Sequence, residues 1–228
     1  MKITNAINKQ VLNLWEETGS KLTQVRMPIL YGDLKKNGIL FVGSNPSFSL
    51  GGFSSFLKNS RFSGIDPETF FQFPRSKEFS VEKSIQIDQL AKEKYKYFDK
   101  FRDIAGQVKL DWEHVDLFFV RETAQKKAQN LVCSKGAFSA FGQKQLDLSK
   151  KLIEEAKPQI IVVANAFASR LFKKTYSAEF DSILGCHVVK IAGKKTPAFL
   201  TSMLTGQRAL DSFSYERLCW DIKRVLKA

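Results

Sequence analysis

Histidine and cysteine are scarce in this chain of 228 residues: two histidines, His114 and His187, and three cysteines, Cys133, Cys186 and Cys219. No two of them have a zinc-finger or helix-turn spacing, so no metal site is expected. There is no Cys-x-x-Cys and no disulfide framework. That points to a reducing, cytoplasmic compartment, with the cysteines acting as small buried hydrophobes. Long apolar runs are missing too. The longest, over residues 115–120 and 159–164, are strand-sized, so no membrane partner is expected. The first seventeen residues lack the apolar centre of a signal peptide. Internal repeats and low-complexity linkers are absent, so residues 1–228 are expected to form one domain. Nothing calls for a cofactor or an obligate protein partner.

Acid is the other shortage. Asp and Glu number 23 against 36 Lys and Arg, a net charge of +13, and the isoelectric point is near 9.6. A chain this basic is expected to meet a polyanion, with DNA the first to test. At 43% hydrophobic and 26% charged residues, the composition excludes a disordered tail, a collagen-like repeat and a coiled coil. Phenylalanine is in excess. There are 20, nine of them between Phe41 and Phe79. So many rings in one stretch either pack on the core or present stacking faces, and core is the default for any single ring.

Ile3, Ile7, Val11 and Leu14 recur at helical spacing and predict a first helix over about seventeen residues. After a turn at Lys35-Lys36-Asn37-Gly38, the short run Ile39-Leu40-Phe41-Val42 reads as a buried parallel strand. Residues 81–108 carry a helical stripe. A second strand is expected over residues 115–120 and a helix ended by Pro158 follows. A third strand over residues 160–164 leads into a helix through Ala168 and Leu171. Residues 186–191 and 197–201 pair around Gly193-Lys194-Lys195, and a last helix starts near Ser212. This alternation predicts an α/β sandwich with a mainly parallel sheet, in which ligands sit at the carboxyl ends of the strands.

The residues leaving those strands are polar in each case. Strand one exits into Gly43-Ser44-Asn45-Pro46-Ser47, strand two into Arg121-Glu122-Thr123, strand three into Asn165, and the fourth into residues 202–208. Gly43 permits a sharp turn, Pro46 stiffens it, and Asn45 offers a donor and an acceptor. An ordinary strand-to-loop turn would use the same residues. The Walker lysine and serine of a phosphate loop are absent. Arg121 has the reach for a phosphate, with Glu122 beside it as a restraint or an acid–base group. A surface ion pair is the plainer alternative. His114, just before strand two, and His187, in an expected edge strand, read as structural or exposed.

The stretch Ile39-Leu40-Phe41-Val42-Gly43-Ser44-Asn45-Pro46-Ser47 resembles the first motif of the uracil-DNA glycosylase superfamily. It is closest to the Gly-x-Asn-Pro-Gly form of the mismatch-specific uracil and thymine glycosylase branch. The order of the later strands, and the small-residue helix start from Asn165 to Ser169, fit the same family over roughly residue 40 to the end. The resemblance implies a three-layer α/β/α sandwich with a central four-stranded, mainly parallel sheet. It also implies no metal or cofactor, and hydrolysis of the N-glycosidic bond of uracil or of a mismatched or damaged base in DNA. By the same resemblance, Asn45 positions the attacking water, while Gly43, Ser44 and Pro46 shape the turn around it. Phe48 or Phe53 stacks on the extruded base. Arg121, Thr123 and Asn165 help to build the pocket, and Ser202 holds the last-motif position. Gln207 and Arg208 lie in the loop that enters the DNA groove. Where the family carries His-Pro-Ser or Asn-Pro-Ser, this chain reads Ser202-Met203-Leu204.

The chemistry can be stated without the family. Breaking a base–sugar bond develops positive charge on the sugar and negative charge on the base. The site must donate to the base and hold a water on the opposite face. An amide such as that of Asn45 orients water but does not take its proton, which suits a dissociative reaction. Reaching the base requires flipping it into a pocket with an aromatic face. Two alternatives stand beside this reading: a nucleic-acid-binding protein of the same fold without glycosylase activity, and an enzyme of free nucleosides or nucleotides. For Arg208, the alternative to a groove contact is an ion pair with Asp211 at the start of the last helix.

Overall fold

Two runs without a polar residue, Ile39-Leu40-Phe41-Val42 and Ile160-Ile161-Val162-Val163, are buried along their whole length and lie side by side as parallel strands. Burial on both faces is what keeps them continuously apolar instead of alternating. They form the middle of an α/β fold in a computed structural model that describes residues 2–18, 22, 25–134 and 137–227. In chain order the elements are α1 (Ile3–Thr18), β1 (Ile39–Gly43), α2 (Leu50–Lys58), α3 (Pro67–Phe70), α4 (Val81–Lys94), α5 (Asp99–Val108), β2 (Trp112–Asp116) and α6 (Gln125–Val132). There follow β3 (Cys133–Ser134), β4 (Ala137–Phe138), α7 (Ala140–Ala156), β5 (Ile160–Ala164), α8 (Ala166–Thr175), β6 (Glu179–Asp181), β7 (Cys186–Ile191), β8 (Lys194–Thr201) and α9 (Ser212–Lys227). No helix among the described residues is long and apolar enough to cross a membrane.

The chain divides into two compact units. The first comprises Met1–Asp33, Asn45–Tyr95 and Asp116–Ser149; the second comprises Leu34–Ser44, Lys96–Val115 and Lys150–Ala228.

The second unit holds the main sheet, whose order is β2-β1-β5-β8-β7-β6. It is six-stranded and mixed, which corrects the expectation of four mainly parallel strands. β1, β5 and β8 run parallel, while β7 and β6 add antiparallel at one side. β7 therefore has a neighbour on each side, and His187 is not in an edge strand. The edge on that side is β6, whose three residues carry no readable pattern. The β7–β8 hairpin turns through Ala192 and Gly193, both at positive φ (47° and 84°), the conformation that matches strand twist. Pro197 is tolerated in β8 because pairing with β5 begins only at Ala198. Gly38 sits so close to the Asp111 carbonyl that a Cβ would lie 2.1 Å from it. Only glycine lets the chain enter β1 there.

One face of the sheet is closed by α5 and α9. Phe41, Val162 and Phe199 meet Phe101 and Ile104 from α5, and Leu218, Ile222 and Val225 from α9. Each such buried side chain contributes about 1.5–3 kcal/mol of hydrophobic stabilisation. The α8 helix lies against β5 and β8.

The first unit has its own core of Met27, Phe48, Phe53, Leu57, Phe70, Phe71 and Ile87. α1 is fastened by Asn8, which exchanges two hydrogen bonds with the Tyr31 backbone (2.8 and 3.0 Å), and by Trp15 Nε1, which donates to the Arg26 carbonyl. The phenylalanine-rich stretch folds as α2 and α3, capped by Ser49 and Asp66.

Two further expectations need correction. The second strand spans Trp112–Asp116 and not residues 115–120. Residues 117–120 are buried but unladdered: the Phe119 carbonyl accepts from the Ile29 N–H, and its own N–H donates to Gln145 Oε1. A buried apolar run needs backbone partners, and here they come from a loop and a side chain. The helical stripe over residues 81–108 is two helices. The break at Tyr95, which is extended (φ −76°, ψ 130°), lets its ring pack on Phe53 and Phe56 while Tyr97 and Phe98 pack on Phe101.

Candidate functional site

The loop after β1 is stitched to residues 120–123 within the first unit. Asn45 Nδ2 donates to the carbonyls of Glu122 (2.7 Å), Val120 (3.3 Å) and Pro46 (3.4 Å). In return the Glu122 N–H donates to the Pro46 carbonyl at 3.0 Å. Thr123 Oγ1 accepts from the Phe48 N–H at 3.1 Å and lies 3.3 Å from Ser47 Oγ. Glu122 turns its carboxylate to the Ala124 N–H, opening α6. These bonds fix which way the half-buried Asn45 amide faces. Its NH2 group is spent on the backbone, and its Oδ1 accepts from no described residue, which leaves a held acceptor.

The residue between Val120 and Glu122 is Arg121, and it is not on the surface. Its side chain is 1% exposed, and the guanidinium donates through both terminal nitrogens to Asp88 and lies 4.3 Å above the Phe71 ring. A two-toothed pair of this kind holds the backbone on either side as well as the side chain. Asp116, fully buried in the same unit, feels the Arg121 charge, and its N–H donates to the Tyr31 hydroxyl at 2.9 Å. Burial, opposed by the Arg121 charge and aided by the Asp88 carboxylate, holds the Asp116 carboxyl up at about 8. The shift favours the protonated form of Asp116 beside the Arg121–Asp88 pair.

Asp88, Asp116 and Phe71 are residues the sequence reading missed. Asp88 falls between Ser84 and Ala91 on the buried face of α4, and Asp116 interrupts an apolar run. An acid on a buried stripe was the available signal.

The rings expected to stack on a base are inside. Phe48 and Phe53 are each 5% exposed, pack on one another at 5.5 Å and on Phe71, and Phe48 carries the Arg26 guanidinium at 4.6 Å.

The other expected residues belong to the second unit. Val42 pairs with Val163, Val163 with Leu200, and Ala164 with Thr201, so β1, β5 and β8 release the chain at one edge of the sheet. Gly43 and Ser44 are buried there. Asn165 caps α8, its Oδ1 accepting from the N–H groups of Phe167 (2.9 Å) and Ala168 (3.1 Å). Ser169 donates to the carbonyls of Val163 (3.2 Å) and Thr201 (2.8 Å), tying α8 to two strand ends. Ser202 is half-buried. Beyond it, residues 203–210 form a closed loop. The Met203–Ala209 bridge and the Leu210 N–H donating to the Met203 carbonyl fasten its base, and Gly206 turns it at φ 88°. Gln207 and Arg208 stand exposed in that loop. Asp211 accepts from the Ser214 N–H and hydroxyl, capping α9 without Arg208, which has no ion-pair partner among the described residues.

No group of three or more His, Cys, Asp or Glu among the described residues is placed to hold a metal ion. No protein-family model matches the chain, and no curated protein matches it.

Proposed function

We infer that the chain handles bases in DNA and hydrolyses the N-glycosidic bond of uracil or of a mismatched or damaged base. The observation that carries this reading is the held amide of Asn45. Its Nδ2 is locked on Glu122 and Val120, which presents Oδ1 as an acceptor of fixed direction for one water. Such an acceptor orients a nucleophile for a dissociative reaction without ionising. The excess of 13 positive charges supplies the attraction to a polyanion. The exposed Gln207 and Arg208 have the reach of a groove contact. With this reading goes that of a three-layer α/β/α sandwich, which the parallel trio β1, β5 and β8 and the α5–α9 cover of one sheet face support. The three cysteines are free thiols, which supports a cytoplasmic setting.

A binding-only protein is the second reading. The burial of Phe48 and Phe53, and Ser202 in place of an imidazole or amide, favour it. The test is excision from a uracil-containing duplex and from mismatched duplexes by the wild type and by Asn45→Ala, assayed below the melting temperature of each. Abasic product from the wild type, and at least about 100-fold less from the variant, is expected. No product from the wild type, with duplex affinity retained, leaves the binding-only reading.

A further inference from the structure

The four most exposed large hydrophobic side chains of the described residues all lie in the second unit: Ile183 (88%), Phe213 (79%), Phe180 (63%) and Trp220 (56%). Two of them share the outer stripe of α9. Phe213, Arg217, Trp220, Arg224 and Lys227 recur at spacings of four, three, four and three, opposite the face that Leu218, Ile222 and Val225 bury. The stripe thus alternates rings with positive charges. Arg217 and Arg224 flank Trp220, with guanidinium carbons 5.7 and 5.5 Å from its ring centre. Both are steadied by Asp221, and Arg224 also donates to the Leu184 carbonyl in the turn that carries Ile183. Beside Trp220 a shallow groove of about 160 Å³ opens, lined by Gln107, Tyr215, Glu216, Cys219 and Lys223.

We propose that this face of α9 binds single-stranded nucleic acid, with an unpaired base stacked on Trp220 and the backbone along Arg217, Arg224 and Lys227. A half-exposed indole offers an aromatic surface on which a base can exchange with the guanidinium groups that lie over it. In a paired duplex the base faces are occupied by neighbours, whereas a single strand leaves them open. Guanidinium groups beside the ring supply the charge that a phosphate backbone matches. Gln107, whose Nε2 is held by Asp103, turns amide chemistry toward the groove where a base edge would lie. Phe213 and Trp220 are two helical turns apart, about 10 Å along the axis, so a strand laid on the helix meets both rings. A second copy of this chain is a poorer occupant, because it would bring the same cationic stripe and a net charge of +13 against its like.

The proposal does not rest on Asn45, and its test is independent of excision. The probe is a fluorescein-labelled twelve-nucleotide thymidine strand, which holds no uracil to excise. Wild type is expected to bind it with loss of tryptophan emission that Trp220→Ala does not show, since Trp15 is buried, Trp112 half-buried and Trp220 exposed. Trp220→Ala is expected to weaken binding roughly 10- to 100-fold, Phe213→Ala less, and Trp220→Phe to restore most of it. Equal affinity in wild type, Trp220→Ala and Phe213→Ala overturns the proposal, as does binding that tracks salt alone. A wild-type dimer by light scattering that becomes a monomer in Trp220→Ala, with strand affinity unmoved, assigns the face to self-association instead.

Discussion

Replacing Asp116 by Asn should flatten the pH dependence of stability. In the folded chain the Asp116 carboxyl is pushed from 3.8 up to about 8, chiefly by burial. Between those values the native state keeps a proton that the unfolded state has lost. Stability then falls as pH rises, by about 1.4 kcal/mol per unit, and the penalty stops growing above pH 8. From pH 5 to pH 7 the wild type should lose about 3 kcal/mol relative to Asp116→Asn, whose amide mimics the protonated acid in shape and does not titrate. With an m-value of about 3 kcal/mol per molar urea, that is a relative drop of about 1 M in midpoint. The assay is urea unfolding of both proteins at pH 5, 6 and 7. Every other titrating group is common to the two, so the difference isolates residue 116. Midpoints that move in parallel refute the buried, protonated Asp116, and a wild type that gains on the variant reverses its sign.

Asp88→Ala strands the Arg121 charge at 1% exposure and is expected to cost about 3 kcal/mol in chemical unfolding. It should also lower the pH at which Asp116 titrates, because a like charge goes and Arg121 turns to Asp116 alone; an unmoved titration contradicts this. Arg208→Ala should leave the melting curve within about 0.5 kcal/mol of wild type, since Asp211 caps α9 unaided, while duplex affinity falls and its salt dependence flattens. Asn45→Ala removes the partner of the Val120 and Glu122 carbonyls, so a loss of about 1–3 kcal/mol in the melt is expected beside any loss of excision.

What the sequence makes legible is what depends on neighbours along the chain. β1, β5, α8 and α9 are fixed by apolar runs, a cap at Asn165, and one buried stripe, and each lies close to where the pattern puts it. β6 was invisible because Glu179-Phe180-Asp181 pairs only with β7 and has one free side. Residues 117–120 read as strand because burial and β-propensity are local, whereas their partners, Ile29 and Gln145, are not. The candidate site divides in the same way. Asn45 stands out from its motif. The Asp88 side chain that pins Arg121 comes from a helix 33 residues earlier, and the carbonyls that hold Asn45 come 75 and 77 residues later. Pairings at that range leave no periodic trace.

Neither unit is a continuous piece of chain, and this governs how the protein can be made. Three separate segments build each one, and the backbone passes between them after Asp33, Ser44, Tyr95, Val115 and Ser149. On a ribosome, β1 waits some 120 residues for its partner β5, and the sheet face it helps to form waits for α9, about 50 residues later still. Such wiring predicts slow folding dominated by long loop closures, with apolar strands exposed until the carboxyl-terminal segment arrives. Removing α9 should therefore yield a chain that aggregates, and no single cut should release a piece that folds alone.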